Sequence, residues 1–313
     1  MARKTLKKAG KAKKKTQTRK PPAKKAATKP AGKPAKRPAK KKSAPAAPLP
    51  TDILKRNRIT RFGWVPDLPD VRDLMYKAVP IVAAPAKVDL SPQCPPVYNQ
   101  GQLGSCTGNA IAAAIQFDRM KQGCADAAQI PSRLFIYYNE RVMEQTVDQD
   151  PGAQIRDGIK SVAKLGVCFE GNGPDCWDYV EGRFVNQPPQ PCYDAGAKNR
   201  VLSYDRLVNT LDQLKNCLAS GYPFVFGFTV YDAFEGQEVM ASGELDMPAQ
   251  GEGMVGGHAV MAVGYDDATQ RFLIRNSWGA DWGKAGYFTM PYEYLTTDNL
   301  ADDFWTIRIV QQP

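Results

Sequence analysis

The stretch that decides the fold is Val97-Tyr98-Asn99-Gln100-Gly101-Gln102-Leu103-Gly104-Ser105-Cys106-Thr107-Gly108-Asn109-Ala110. Beyond it, apolar residues recur at helical spacing as far as Phe117, and Gly123 ends the pattern, which predicts a helix over residues 105–122. Cys106 therefore lies where a helix begins. At that position, free backbone N–H groups and the helix macrodipole favour negative charge, which lowers the pKa of a thiol. The sequence thus predicts a nucleophilic cysteine at position 106.

Three further side chains supply the chemistry that such a cysteine requires. Gln100 offers an amide six residues before Cys106, and the single histidine of the chain follows it by 152 residues, where a strand is predicted to start. An asparagine lies 18 residues further on. A thiol nucleophile needs a base, the base needs an orienting partner, and the developing oxyanion needs hydrogen-bond donors. The predicted catalytic residues are Cys106, His258, Asn276 and Gln100.

These motifs resemble those of the papain-like cysteine peptidases, and more closely those of the bacterial branch. The matching segments, in the order of the family, are Gln100-Gly101-Gln102-Leu103-Gly104-Ser105-Cys106, Gly257-His258-Ala259-Val260, Asn276-Ser277-Trp278-Gly279, Trp282-Gly283 and Gly286-Tyr287-Phe288. The resemblance covers residues 86–313. It implies an α+β fold of two lobes, with the nucleophile on a helical lobe and the histidine and asparagine on an antiparallel, barrel-like β lobe.

The resemblance also implies a role for each matched residue. Cys106 would be the nucleophile of a thiol protease that forms an acyl-enzyme, and His258 its acid and base. Asn276 would orient the imidazole, and Trp278 would shield the hydrogen bond between them. Gln100 and the backbone N–H of Cys106 would form the oxyanion hole. The expected partners are protein or peptide substrates, and the expected activity is that of a hydrolase.

Two residues depart from the family pattern. Thr107 replaces the aromatic residue that usually follows the nucleophile, which is expected to alter the packing of the cleft. Leu103 replaces a cysteine that many members place three residues before the nucleophile, so the corresponding family disulfide cannot form. Without Cys106, six cysteines remain, and the sequence leaves open whether they form three bridges or remain thiols.

The remaining pattern also indicates helices followed by strands, which favours an α+β protein with segregated lobes. Helices are predicted at residues 132–143, 155–165 and 207–218. Short strands are predicted at residues 224–230, 258–263, 271–274 and 287–290. The glycine pattern at residues 251–256 formally matches a dinucleotide-binding motif, but no strand–helix context surrounds it, and no cofactor is expected.

The N-terminal region is strongly basic. Residues 1–50 contain 16 Lys, 3 Arg and no acidic residue, a charge of +19, whereas the rest of the chain carries −9. With so few large apolar side chains the tail is predicted to be disordered, and it resembles the Lys/Ala/Pro-rich tails of linker histones. Such a tail favours nonspecific binding of nucleic acid or another polyanion. The alternative function is therefore a polyanion-binding protein whose papain-like domain is inactive or non-proteolytic.

Residues 51–85 form a second zone, around Arg61-Phe62-Gly63-Trp64-Val65-Pro66-Asp67-Leu68-Pro69-Asp70-Val71-Arg72-Asp73. Charged residues alternating with prolines do not suit a helix interior or a central strand. Trp64, Leu68 and Tyr76 are apolar anchors that a free linker would not need. We expect an extended arm packed on a peptidase domain at residues 86–313. Because the family commonly has an inhibitory segment at this place, the arm is expected to occupy part of the cleft.

Several classes of protein are disfavoured by the same sequence. No run of 18 apolar residues predicts a membrane span, and no secretory signal is visible, so an intracellular location is the default expectation. A single histidine and the lack of a C-x-x-C pair make a structural zinc site unfavourable, and no metal is expected. A monomer is expected.

Overall fold

The computed structural model describes residues 62–77 and 84–312. The tail at 1–50 and the ends of the arm at 51–61 and 78–83 lie outside the described residues. The helices are α1 Cys106–Lys121, α2 Arg133–Glu144, α3 Ile155–Lys164, α4 Gln190–Gly196, α5 Leu211–Ala219, α6 Gln237–Ser242 and α7 Tyr292–Thr296. The strands are β1 Lys87–Asp89, β2 Val201–Arg206, β3 Phe224–Tyr231, β4 Met254–Asp266, β5 Arg271–Arg275, β6 Tyr287–Pro291 and β7 Ala301–Val310.

Helix α1 is the central element of the helical lobe. Its first half is rich in alanine, the best helix former, and the side chains from Cys106 to Arg119 are buried on every face. It packs against α2, α3 and strands β4 and β7, so it connects both lobes. At Gly108 a Cβ would lie 2.7 Å from the carbonyl oxygen of Arg133, so only glycine allows α2 to approach this closely. The nucleophile candidate thus begins a helix that cannot shift easily.

The strands form one antiparallel sheet in the order β2-β7-β3-β4-β5-β6, with β1 added to β4. Strand β4 pairs with both β3 and β5, and His258 lies on it opposite Phe228. The larger of two apolar clusters among the described residues runs from α1 across the sheet, and a smaller one lies around Leu134 and Tyr137 of α2. The predicted α+β class, with the nucleophile candidate on a helix and the histidine on an antiparallel sheet, is confirmed.

The helices predicted at residues 105–122, 132–143 and 155–165 are confirmed within one residue at each end, and each predicted strand lies within an observed one. The predicted helix at 207–218 is wrong at its start, because α5 begins only at Leu211. Leu207 instead donates its backbone N–H to the carbonyl of Phe304, continuing the pairing of β2 with β7. Strands β2 and β7 were not predicted, since charged residues such as Asp205 and Asp302 interrupt their apolar pattern.

All seven cysteines are free thiols, which answers the question that the sequence left open. Cys168, Cys192 and Cys217 are buried within the apolar core. Of the helices in residues 62–77 and 84–312, none combines the length and the apolar character needed to cross a bilayer.

Residues 62–77 lie extended along the body. Met75 forms a parallel bridge with Arg206, and Tyr76 donates its backbone N–H to the carbonyl of Arg206 at 2.8 Å. Trp64 forms a parallel bridge with Ala153, just before α3. We call residues 62–77 the arm from here on.

Candidate active site

Cys106 is the first residue of α1 and is fully buried. The loop before it is held by hydrogen bonds that the sequence did not predict. The hydroxyl groups of Ser105 and Tyr179 lie 2.6 Å apart, and that of Tyr179 also donates to the carbonyl of Gln100 at 2.8 Å. The nucleophile candidate is therefore fixed both by its helix and by the preceding loop.

His258 and Asn276 lie side by side on neighbouring parts of the sheet. Strand β4 carries His258, and Asn276 directly follows β5, so the pairing of the two strands brings them together. The His258 Nε2 and Asn276 Oδ1 atoms are 2.9 Å apart. Within the described residues, Nδ1 of the imidazole has no hydrogen-bond partner. The second ring nitrogen is therefore available for a proton transfer.

Gln100 connects the nucleophile loop to the Asn276 loop. Its backbone N–H donates to the carbonyl of Ser277 at 2.8 Å, and its Oε1 accepts from the Ser277 hydroxyl at 2.6 Å. Its side-chain amide also donates to the carbonyl of Leu103 at 3.0 Å. Gln100 is completely buried, so its amide is held rigidly beside the loop that carries Cys106.

The arm crosses the site directly over these residues. The backbone N–H of Gly63 hydrogen-bonds to the Cys106 sulfur, and the N–H of Trp64 donates to the carbonyl of Gly257 at 2.9 Å. A Cβ at Gly63 would lie 1.7 Å from the carbonyl oxygen of Gly104, so only glycine fits at the crossing. The ring centroid of Phe62 lies 6.0 Å from that of His258.

Burial beneath the arm holds both reactive groups in their neutral forms. Loss of solvent raises the pKa of Cys106 to about 12, although backbone N–H groups of Ala259, Gly63 and Thr107 partly stabilise the thiolate. Burial also lowers the pKa of His258 to about 4, against the opposing effect of the hydrogen bond with Asn276. The helix N-terminus alone does not produce the low thiol pKa that the sequence suggested, because desolvation outweighs it while the arm is in place.

The comparisons with known proteins agree with this geometry. The family model of the papain family cysteine proteases matches residues 84–303. The chain belongs to that family. Among curated proteins, an uncharacterized peptidase C1-like protein of Acanthamoeba polyphaga mimivirus is 39% identical over 84% of this chain and 90% of its own length. A cathepsin B-like protein of Giardia intestinalis, CP3, is 31% identical over 63% of this chain and 64% of its own length.

Solved structures of papain-like proteases show the same fold. Xylellain, a cysteine protease from Xylella fastidiosa, aligns with a TM-score of 0.74 and 46% identity, covering 81% of this chain and 98% of its own. A procathepsin B of Trypanosoma congolense aligns with a TM-score of 0.61 over 80% of this chain and 87% of its own, at 17% identity, and supports the fold alone. This papain-family chain is therefore a cysteine peptidase, and a hydrolase.

A cage of aromatic rings around His258 was only partly expected from the sequence. Trp278, which was expected to cover the imidazole, lies with its ring centroid 5.0 Å from that of His258. Phe228 and Phe234 lie at 5.9 and 6.2 Å, and the arm contributes Phe62. Phe234 follows β3 in a short 3-10 turn that carries no recognisable motif, so no sequence signal marked it.

Thr107, the departure from the family pattern, donates its hydroxyl to Glu140 on α2 at 2.7 Å. Both residues are fully buried, and the other oxygen of Glu140 has no partner within the described residues. Burial raises the pKa of Glu140 well above its ordinary value, against the lowering effect of the Thr107 hydroxyl. A polar pair thus lies where an aromatic residue was expected.

No three His, Cys, Asp or Glu side chains within residues 62–77 and 84–312 are grouped to hold a metal ion.

Replacing Glu140 with glutamine tests whether burial raises the pKa of this carboxyl. A raised pKa means that the folded state binds the proton more tightly than the unfolded state, so above the unfolded pKa of 4.5 the wild type loses stability as pH rises, by up to about 1.4 kcal/mol per pH unit until the raised pKa is reached. Glu140→Gln has no such loss. We therefore expect it to be more stable than the wild type at pH 7 to 8, with a difference that shrinks towards pH 4.5, as measured by urea unfolding. The exposed Glu293→Gln is the matched control, and an unchanged difference across this pH range would contradict the assignment.

Proposed function

We propose that the protein is a cysteine-type endopeptidase that acts through Cys106, His258 and Asn276, with Gln100 as an oxyanion donor. The observation that carries this proposal is the convergence at one place of a helix-terminal thiol and a hydrogen-bonded His–Asn pair, 152 and 170 residues apart in the chain. Gln100 bridges the two loops that bear these groups. Family membership supports the same roles.

In the proposed reaction, His258 accepts the proton of Cys106, and the sulfur attacks the carbonyl carbon of the scissile peptide bond. The resulting oxyanion accepts hydrogen bonds from the side-chain amide of Gln100 and the backbone N–H of Cys106. His258 then donates its proton to the leaving amine, and a thioester to Cys106 remains. Water, deprotonated by His258, hydrolyses the thioester and restores the thiol. Asn276 keeps the imidazole turned towards the sulfur throughout.

Single substitutions separate these roles. Cys106→Ala should abolish peptide hydrolysis, because no other group replaces the sulfur. Gln100→Ala should lower kcat by about 10²–10³, the effect of one lost oxyanion donor. Gln102→Ala, at an exposed position of the same loop, is the matched control and should leave kcat unchanged. Steady-state kinetics on a fluorogenic peptide measure all three, and undiminished turnover by a folded Cys106→Ala protein would refute the assignment.

We propose further that the arm is an internal inhibitor, as the resemblance led us to expect. Three observations support this proposal: Gly63 lies over the thiol, Phe62 lies against His258, and the arm backbone pairs with Ala153. A peptide bond cannot reach the sulfur while Gly63 is there. Displacement of the arm would also readmit water, lowering the pKa of the thiol and raising that of the imidazole towards a reactive ion pair.

A substitution at the crossing point tests the inhibition. In Gly63→Ala, the new Cβ would overlap the carbonyl oxygen of Gly104, so the arm must leave the cleft. We expect a higher kcat/KM and faster alkylation of Cys106 by a thiol reagent, both by about tenfold or more. Gly182→Ala, where a Cβ would meet nothing within 4 Å, is the control. If Gly63→Ala is folded and both rates match the wild type, the arm is a structural element only.

We also propose that the basic tail has a separate function, the nonspecific binding of polyanions. The tail carries a charge of +19, whereas the rest of the chain carries −9. Phosphate groups should therefore attract the tail and repel the rest of the chain. Without aromatic side chains the tail has no platform on which bases could stack, so contacts to phosphate alone are expected.

Deletion of residues 1–50 should abolish binding to duplex DNA and leave the hydrolysis of small peptides unchanged. For the full chain, log K should fall with log salt by about 0.9 for each phosphate neutralised. Fluorescence anisotropy with labelled DNA at several salt concentrations measures this slope. DNA binding that persists without the tail, or that is insensitive to salt, would contradict the proposal.

A further inference from the structure

The arm is anchored by a buried cluster of charges next to the cleft. The side chain of Arg156, on α3, is only 5% exposed. It donates hydrogen bonds to the carboxylate of Asp73 from Nε at 3.0 Å and from Nη2 at 2.7 Å. It also donates to the carbonyl of Leu68. Within the described residues, every side-chain hydrogen bond of Arg156 therefore goes to the arm. The body offers this arginine no carboxylate of its own at hydrogen-bonding distance.

A second carboxylate of the arm, that of Asp67, is enclosed completely. It accepts the backbone N–H of Arg156 and the indole N–H of Trp305, each at 3.0 Å. The guanidinium groups of Arg156 and Arg206 lie 3.8 and 3.9 Å away. Two hydrogen-bond donors and two guanidinium groups from α3, β2 and β7 thus converge on one carboxylate. The site encloses an acidic side chain, and this enclosure raises the pKa of Asp67 against the lowering effect of the surrounding groups.

Removal of the arm affects the two arginines differently. Without the arm, Arg206 still donates a hydrogen bond to Asp303, at 2.9 Å. Arg156, in contrast, no longer has its ion pairs with Asp67 and Asp73. Removal of the arm also uncovers the guanidinium of Arg156, and a planar guanidinium binds a carboxylate through paired, charge-assisted hydrogen bonds. The site can then take another carboxylate in place of those of the arm.

An extended substrate peptide can reach Cys106 along the path that the arm takes on this side of the cleft. The arm pairs there with the body through Val65 N–H to the Ala153 carbonyl, at 3.0 Å, and Ala153 N–H to the Gly63 carbonyl, at 2.7 Å. Asp67 follows the residue over the thiol by four positions, roughly 13 Å of extended chain. A substrate side chain at that distance reaches the same donors.

We propose that Arg156, Arg206 and Trp305 form a subsite that binds an acidic side chain of the substrate, about four residues from the cleaved bond. The inference rests on the proposed peptidase function and adds a substrate class, acidic peptides, to it. Arg156 is the specificity-determining residue, because its side-chain hydrogen bonds go only to the arm, whereas Arg206 also pairs with Asp303 of the body. Asp67 of the arm occupies this subsite in the inhibited protein.

The test uses pairs of peptides with one cleavable bond that differ only by Asp or Asn at a single position, three to five residues from that bond. The measured quantity is the ratio of kcat/KM for the Asp and Asn members of a pair, determined with the same full-length protein. This ratio does not depend on how often the arm leaves the cleft, because both peptides meet the same population. For the wild type we expect a preference for Asp of about tenfold at one position, the effect of one charge-assisted hydrogen bond.

Arg156→Gln should reduce this preference to about one, while Lys160→Gln, which removes a positive charge one turn later on α3, should retain it. Should Arg156→Gln fail to fold, Trp305→Phe, which removes the indole N–H together with part of a buried ring, should lower the preference by about threefold or more. A wild-type ratio near one at every position, with hydrolysis intact, would overturn the subsite. So would a preference that survives in both variants. Failure to cleave any peptide, even with Gly63→Ala, would instead overturn the proposed peptidase function.

Discussion

The structure depends on the connection between the loop before α1 and the loop after β5. Asn99 and Trp278 form an antiparallel bridge, and Gln100 and Ser277 exchange a backbone and a side-chain hydrogen bond. These residues are about 180 positions apart in the chain, and the two loops are joined by the buried polar side chains of Gln100 and Ser277. Such groups are costly to leave unpaired, which makes the register of the two loops unique. The thiol, the imidazole and the amide inherit their relative positions from this connection.

The arm uses the same cleft in a different way. At the crossing, close backbone approach excludes any side chain at Gly63, and further along, Asp67 and Asp73 neutralise arginines of the body. Steric fit therefore determines where the arm lies, and charge determines how firmly it is held. Because the two aspartates follow Gly63 by four and ten residues, the steric fit and the charge pairing can be weakened independently.

Much of the site was predictable, because its residues belong to local motifs. The alanine-rich helix after Cys106 follows from intrinsic propensity, and the segments around His258 and Asn276 are short motifs with fixed spacing. Strands β2 and β7 were missed, since their stability comes from pairing with each other across about 100 residues rather than from alternation. The pairing of Thr107 with Glu140 and that of Asp67 with Arg156 were likewise invisible. Such contacts depend on the tertiary packing of distant segments, which a local sequence pattern does not predict.

Complete burial of Cys106 has a consequence for the redox chemistry of the protein. Peroxides oxidise thiolates rather than thiols, and they must reach the sulfur to do so. Beneath the arm, the sulfur is both protonated and out of contact with solvent. If the arm is the inhibitor proposed above, it would therefore also protect the Cys106 thiol from conversion to sulfenic and sulfinic acids. In that case a molecule that passes through oxidative stress with the arm in place would retain an intact thiol for later activation.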